Sequence, residues 1–99
     1  MFQHVVLMRL VDVDAAFHAR VEEYARRMPL ELPGVESFHY GPNVADRSKG
    51  YDWAVISVFA TAADHDAYQV SALHQELKAY MTSHIAELVV CDLDTTQRG

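Results

Sequence analysis

Four short apolar strands and two amphipathic helices, in the order β-α-β-β-α-β, predict an α+β domain of the ferredoxin-like arrangement. The second helix is split, because Ser71 can cap a new helix in the middle of it. The strands carry apolar residues on both faces, while such a sheet has helices on only one. A chain of 99 residues buries only about 60–70% of its unfolded surface, and a bare apolar sheet face is one that soluble proteins cover. Pairing two sheets face to face covers it, so a homodimer is expected.

The first strand is "FQHVVLMRLV". Phe2, His4, Val6, Met8 and Leu10 share one face; Val5, Leu7 and Val11 share the other with Gln3 and Arg9. Asp12 or Asp14 caps the first helix, which is expected to run to about Met28 with Phe17, Val21, Tyr24, Ala25 and Met28 as its apolar stripe. Pro29, Pro33 and Gly34 then break it. "VESFHYG" is the second strand and "YDWAVISVFA" the third, with Tyr51, Trp53, Val55, Ser57 and Phe59 on one face. Thr61 with Asp64 resembles a capping box in which Asp replaces Glu; it opens a short helix through Tyr68. Ser71 opens the next, through about Met81. "IAELVVCDL" is the last strand. The domain is expected to span residues 1–94, followed by a polar, frayed tail at 95–99.

A net charge of −6 argues against nucleic acid and anionic membranes as partners, since both need a basic face. No apolar run reaches the roughly 18 residues of a membrane span, and "MFQHVVLMRL" has no basic region ahead of its apolar stretch, so no signal peptide is expected. Cys91 is the only cysteine, which excludes an internal disulfide and suits a cytoplasmic location.

"AYQVSALHQEL" sets Tyr68 and His74 six residues apart. In one continuous helix they would point to opposite sides. A break at Ser71 re-aims the chain and allows them to meet.

"QHVVLMRL", "LPGVESFHYGPNV", "GYDWAVISVFAT", "AYQVSALHQEL" and "LVVCDLD" together resemble the stress-responsive α/β-barrel (Dabb) domain family, over nearly the whole chain. The resemblance implies a dimeric α+β barrel. It also implies relatedness to plant polyketide cyclases of the olivetolic acid type, which close a polyketide by aldol chemistry without a cofactor. In those cyclases a first-strand histidine, a tyrosine and a histidine six residues beyond it face one pocket. These positions fall on His4, Tyr68 and His74. A further cyclase histidine falls on Trp53, and the usual His-Pro is Ser71-Ala72 here. At these positions His74 is expected as the acid/base, Tyr68 as its partner and oxyanion donor, His4 as a substrate positioner, and Trp53 as a substrate-binding pocket wall or a core residue.

Such a trio has definite chemistry. An imidazole removes a proton from carbon beside a carbonyl at neutral pH, and a tyrosine hydroxyl stabilises the enolate oxygen. Each residue also has a packing reading: His4 as a satisfied core histidine, Tyr68 as a buried ring, His74 as a local partner of Glu76. Three functions compete: a cofactor-free cyclase, lyase or isomerase acting on a small apolar or aromatic carbonyl compound, a cofactor-independent monooxygenase, and a non-enzymatic stress-response or ligand-binding protein. No metal site is expected. His18 and Glu22 share a helix face but supply only two ligands; His65-Asp66 and His84 with Glu87 read as solvated surface, and Cys91 as inert packing.

Overall fold

The computed structural model describes residues 1–97. The elements are β1 (Phe2–Leu10), α1 (Ala15–Glu31), β2 (Val35–Pro42), β3 (Trp53–Phe59), α2 (Ala62–Gln69), α3 (Ala72–Met81) and β4 (Ile85–Asp94). The four strands form one antiparallel sheet in the order β2-β3-β1-β4. This is the ferredoxin-like arrangement, with the second helix in two pieces. Among the described residues no helix is long and apolar enough to cross a membrane.

The choice between two caps for α1 resolves in favour of Asp14, whose Oδ1 accepts the Phe17 N–H at 2.8 Å. Asp12 instead takes a left-handed conformation (φ 55°) in the turn that leaves β1. All five predicted stripe residues of α1 are buried. The helix does not stop at Met28, however. Pro29 lies inside its last stretch, and the helix continues to Glu31. A proline removes one N–H and disfavours the residue before it. The final turn is nonetheless closed by Leu32 N–H bonding the Met28 carbonyl at 3.0 Å, and the Arg27–Glu31 ion pair spans it.

The core lies between the sheet and the helices. Phe59, Met8, Met28 and Val21 are its most deeply buried large side chains, and Tyr68, Leu73, Leu77 and Met81 close it from the α2–α3 side. On the far face of the sheet, Ile56, Val89 and Leu93 are 47%, 46% and 56% exposed. The protomer therefore leaves a bare apolar face, as the two-sided strands anticipate. Cys91, expected to pack, is exposed there. Tyr51 is ahead of β3 rather than in it, and its hydroxyl donates to Glu87 at 2.9 Å.

Thr61 caps α2 by accepting the Asp64 N–H at 3.1 Å. The return half of the expected capping box differs: the Thr61 hydroxyl donates to the Asp64 carboxylate at 3.0 Å. The tail begins as a 3-10 turn, Thr95–Gln97. Thr95 is tied to Met1, its N–H donating to the Met1 carbonyl at 3.0 Å. The last two tail positions, 98 and 99, lie outside the described residues.

Gly34 links α1 to β2 with φ +98°, and a Cβ there would fall on the Asp64 side chain. Gly34→Ala is expected to destabilise the fold by at least about 1–3 kcal/mol, the cost of a strained backbone conformation. Urea unfolding should show a lower midpoint with an unchanged slope.

Candidate active site

Strand register assembles the first groups. His4 lies opposite Ser57 in the β1–β3 ladder and opposite Asp92 in the β1–β4 ladder, so all three project toward the helices. Directly opposed residues on one sheet face are within contact distance. His4 is buried, and its Nδ1 lies 2.5 Å from Asp92 Oδ1. A carboxylate oxygen accepts, so Nδ1 carries the hydrogen and Nε2 is the ring nitrogen left over. Ser57, fully buried, donates its hydroxyl to the His4 carbonyl at 3.2 Å.

Helix α2 supplies the next pair. His65 and Tyr68 are three residues apart, share a face and are both buried. The His65 ring stacks on Phe2 at 4.4 Å and lies 4.7 Å from the His4 ring. Its Nε2 is buried and is without a hydrogen-bond partner among the described residues. Burial first, then the neighbouring His4, hold its pKa below the usual histidine value. The Tyr68 ring contacts Phe38, Phe59 and His4. Burial pushes its phenol well above the usual tyrosine range, so at neutral pH it is a hydroxyl, able to donate.

The break between α2 and α3 brings in His74. Ser71 is extended (φ −68°, ψ 151°) and caps α3. Its hydroxyl donates to the Tyr68 carbonyl at 2.7 Å and accepts the His74 N–H at 3.1 Å. The His74 ring thereby comes to 4.5 Å from the Tyr68 ring. His74 Nδ1 is 3.0 Å from the Gln69 carbonyl. A carbonyl only accepts, so Nδ1 bears the proton and Nε2 keeps its lone pair. Burial lowers the His74 pKa; the Gln69 bond opposes this and Lys78 adds to it.

His4, Tyr68 and His74 all line one cavity of about 230 Å³ between the sheet and the α2–α3 pair. Val6 and Met8 of β1 form part of its floor and Leu77 part of its roof. Leu88 and Val90 form the open edge; they lie on the helix-facing side of β4 yet are 49% and 48% exposed, since no helix lies over them. The three histidine and tyrosine positions expected to meet therefore do meet, within one protomer.

Trp53 does not join them. Its ring stacks on His18 at 3.9 Å and on Tyr40 at 5.5 Å, toward α1 and away from the cavity wall. The expectation that it lines the pocket is corrected: β3 runs past the cavity, and Val55 is its contribution. His18 also pairs with the Tyr40 hydroxyl at 2.8 Å. His84 is half-buried; its ring lies 4.7 Å from Phe17, and its Nδ1–H donates to the Val11 carbonyl at 3.1 Å. His65, also read as surface, is 4% exposed.

Two residues at the site, His65 and Asp92, were absent from the expected set. Both had a signal. His65 stands three residues before Tyr68, hence on the same helix face. Asp92 alternates with Leu88 and Val90, which puts a carboxylate on the inner face of an apolar strand.

The chain matches the family model of the stress responsive A/B barrel domain (Dabb) over residues 2–95. Among solved structures it is similar to a dimeric ferredoxin-like protein of unknown function from Thermobifida fusca, with 22% identity over 93% of this chain and 88% of that one and a TM-score of 0.79. It is also similar to an Arabidopsis thaliana protein, with 19% identity, 100% and 99% coverage and a TM-score of 0.84. A third is the hydroxynitrile lyase from Passiflora edulis, with 16% identity, 99% and 95% coverage and a TM-score of 0.83. At these identities the likeness establishes the fold. No curated protein matches the chain.

Ser71→Ala removes both hydrogen bonds of the Ser71 hydroxyl. It is expected to cost about 0.5–2 kcal/mol, the usual loss of an N-cap. Chemical denaturation measures it, and Ser71→Thr, which keeps the hydroxyl, should recover most of the loss.

Proposed function

The chain belongs to the stress-responsive A/B barrel domain family, and on that footing we propose that it is a lyase or isomerase acting on a small apolar carbonyl compound, such as a polyketide, by proton transfer through His74. The observation that carries this reading is the pairing, in one cavity, of an imidazole held neutral by burial with a phenol held protonated by burial. A base and a hydrogen-bond donor beside an apolar surface are the parts that enolate chemistry needs.

The step is a proton transfer. His74 Nε2 takes a proton from carbon beside the substrate carbonyl, or from a hydroxyl whose loss forms a carbonyl. The electron pair moves to oxygen or to the departing carbon group. Tyr68 donates its hydroxyl to the developing oxyanion. His4, held by Asp92, offers Nε2 to a substrate hydroxyl. The protonated His74 then returns its proton to product. The second variant of this step, carbonyl formation with loss of a carbon group, is the kind of reaction named for the similar Passiflora edulis protein. Trp53 has no part in the proposed site.

The test is deuterium exchange beside the carbonyl in a panel of aryl methyl ketones, followed by NMR, together with release of aldehyde from aromatic cyanohydrins. His74→Ala is expected to lower the rate by ~10²–10⁴ and Tyr68→Phe by ~10²–10³, with folding unchanged. The rate should be flat above pH 7 and fall as pH drops below 6.5, because His74 must be neutral to act and its pKa is lowered. Equal rates with and without dioxygen exclude an oxygenase; panel compounds that bind without His74-dependent turnover favour a ligand-binding protein instead.

The bare sheet face is proposed to be covered by a second copy of the chain. Ile56, Val89 and Leu93 are large, apolar and exposed, and the similar Thermobifida fusca protein is dimeric. Sedimentation is expected to give twice the protomer mass. Ile56→Glu should dissociate or unfold the protein, since an unpaired charge buried at an interface is costly. Val70→Glu, at a position 79% exposed on the helix side, should leave the dimer intact.

A further inference from the structure

Behind the cavity, at the Phe2 end of β1, three groups from β1, α2 and β4 stand together. His4, His65 and Asp92 each offer one ligand atom, and these atoms lie within 4.8 Å of one another. We infer that this cluster is a binding site for a divalent transition-metal ion of the zinc class, with His4, His65 and Asp92 as its three protein ligands. The inference goes beyond the acid-base reading of the cavity and does not rest on it.

Four observations support it. The first is the donor set. Two imidazoles and one carboxylate suit zinc, cobalt, nickel or ferrous iron, and not magnesium or calcium, which prefer oxygen. The second is the unpartnered nitrogen. His65 is 96% buried, taking its 4% exposure, and among the described residues its Nε2 has no hydrogen-bond partner. A buried polar atom without a partner is costly, and a metal ion would satisfy it. The third is support from behind. Phe2 stacks on one side of His65, and Phe59 meets it edge-on with centroids 5.0 Å apart, so the ring is held on rigid elements. The fourth is reach and access. Ligand atoms about 2.1 Å from a tetrahedral ion are ~3.4 Å apart, so the widest pair, within 4.8 Å, must close by up to about 1.4 Å, while His4 Nδ1 and Asp92 Oδ1, 2.5 Å apart, must open by about 0.9 Å. The Asp92 side chain is 38% exposed on an edge strand; it can rotate, and it gives an ion a path from solvent.

Three protein ligands leave a coordination position open for water or a ligand. His4 is common to this cluster and to the cavity wall, so an ion here would sit on the far side of a cavity-lining ring. A bound ion would replace the hydrogen between His4 Nδ1 and Asp92 and set which His4 nitrogen remains free.

Untagged protein, stripped with a chelator and titrated with Co²⁺ in the absence of substrate, tests this directly. One ion per protomer is expected, with the visible absorption of imidazole-ligated cobalt and displacement by Zn²⁺. His65→Phe and Asp92→Asn should each weaken binding by more than about 100-fold, beyond the 10–100-fold typical of losing an outer contact to a ligand. Asp92→Asn is isosteric and partly exposed, so it decides the matter if His65→Phe unfolds. His39→Ala, on the exposed face of β2, should change nothing. Absence of saturable binding, or full affinity in either ligand variant, overturns the inference. Loss of binding in His74→Ala would place the ion in the cavity and overturn it too. None of these outcomes depends on turnover, so failure here leaves the His74 reading standing, and the reverse.

Discussion

One oxygen atom sits at the joint on which the cavity depends. The last carbonyls of α2 and the first N–H groups of α3 have no partner within their own helices. The Ser71 hydroxyl meets one of each, donating to Tyr68 and accepting from His74. Each such bond contributes only about 1 kcal/mol net. Their effect is geometric: they tie the backbone of the oxyanion donor to the backbone of the base. A proline at this break would stiffen it by fixing φ, whereas serine holds it by making bonds.

Burial is then the largest influence on the titratable groups, with Lys78 at the cavity adding to it for His74. Tyr68 is kept protonated, while His65 and His74 are kept neutral. Desolvation disfavours whichever form is charged, so one environment pushes a phenol up and an imidazole down. Acid and base are thereby separated by chemistry rather than by a field. Asp92 is the exception, a carboxylate at the edge of the sheet whose partner is His4. The chain's net charge of −6 does not enter the cavity, whose lining is apolar apart from a few groups.

Much of this was legible in the residues. Period-two runs locate the strands, the α1 stripe is legible in full, and Ser71 reads as the cap that splits the second helix. The meeting of His4, Tyr68 and His74 followed from that break together with the family resemblance. What escaped has physical causes. Pro29 did not end α1, because tertiary burial of Met28 and a closed last turn outweighed a local preference. Trp53 was placed by analogy with a cyclase histidine, yet at its position the large ring finds His18 and Tyr40 before it reaches the cavity. His65 was read as surface because its immediate neighbours are charged. Only its three-residue interval to Tyr68 tells that it points inward. Asp92 was missed because pairing across strands decides its neighbour, and His4 is 88 residues away.

That pairing makes β4 intolerant of insertions and deletions. From Phe2 to Arg9 the β1–β4 ladder runs without a slip, and the irregularity comes only beyond Arg9. One residue gained or lost between Leu88 and Asp92 would turn the C-terminal half of the strand over. Asp92 would leave His4 and enter the bare apolar face, while Cys91 or Leu93 would rotate in beside the histidine. The same parity thus governs a polar contact on one side of the sheet and an apolar surface on the other. Length changes in this protein should be found in the loop between β2 and β3, and be rare within its last strand.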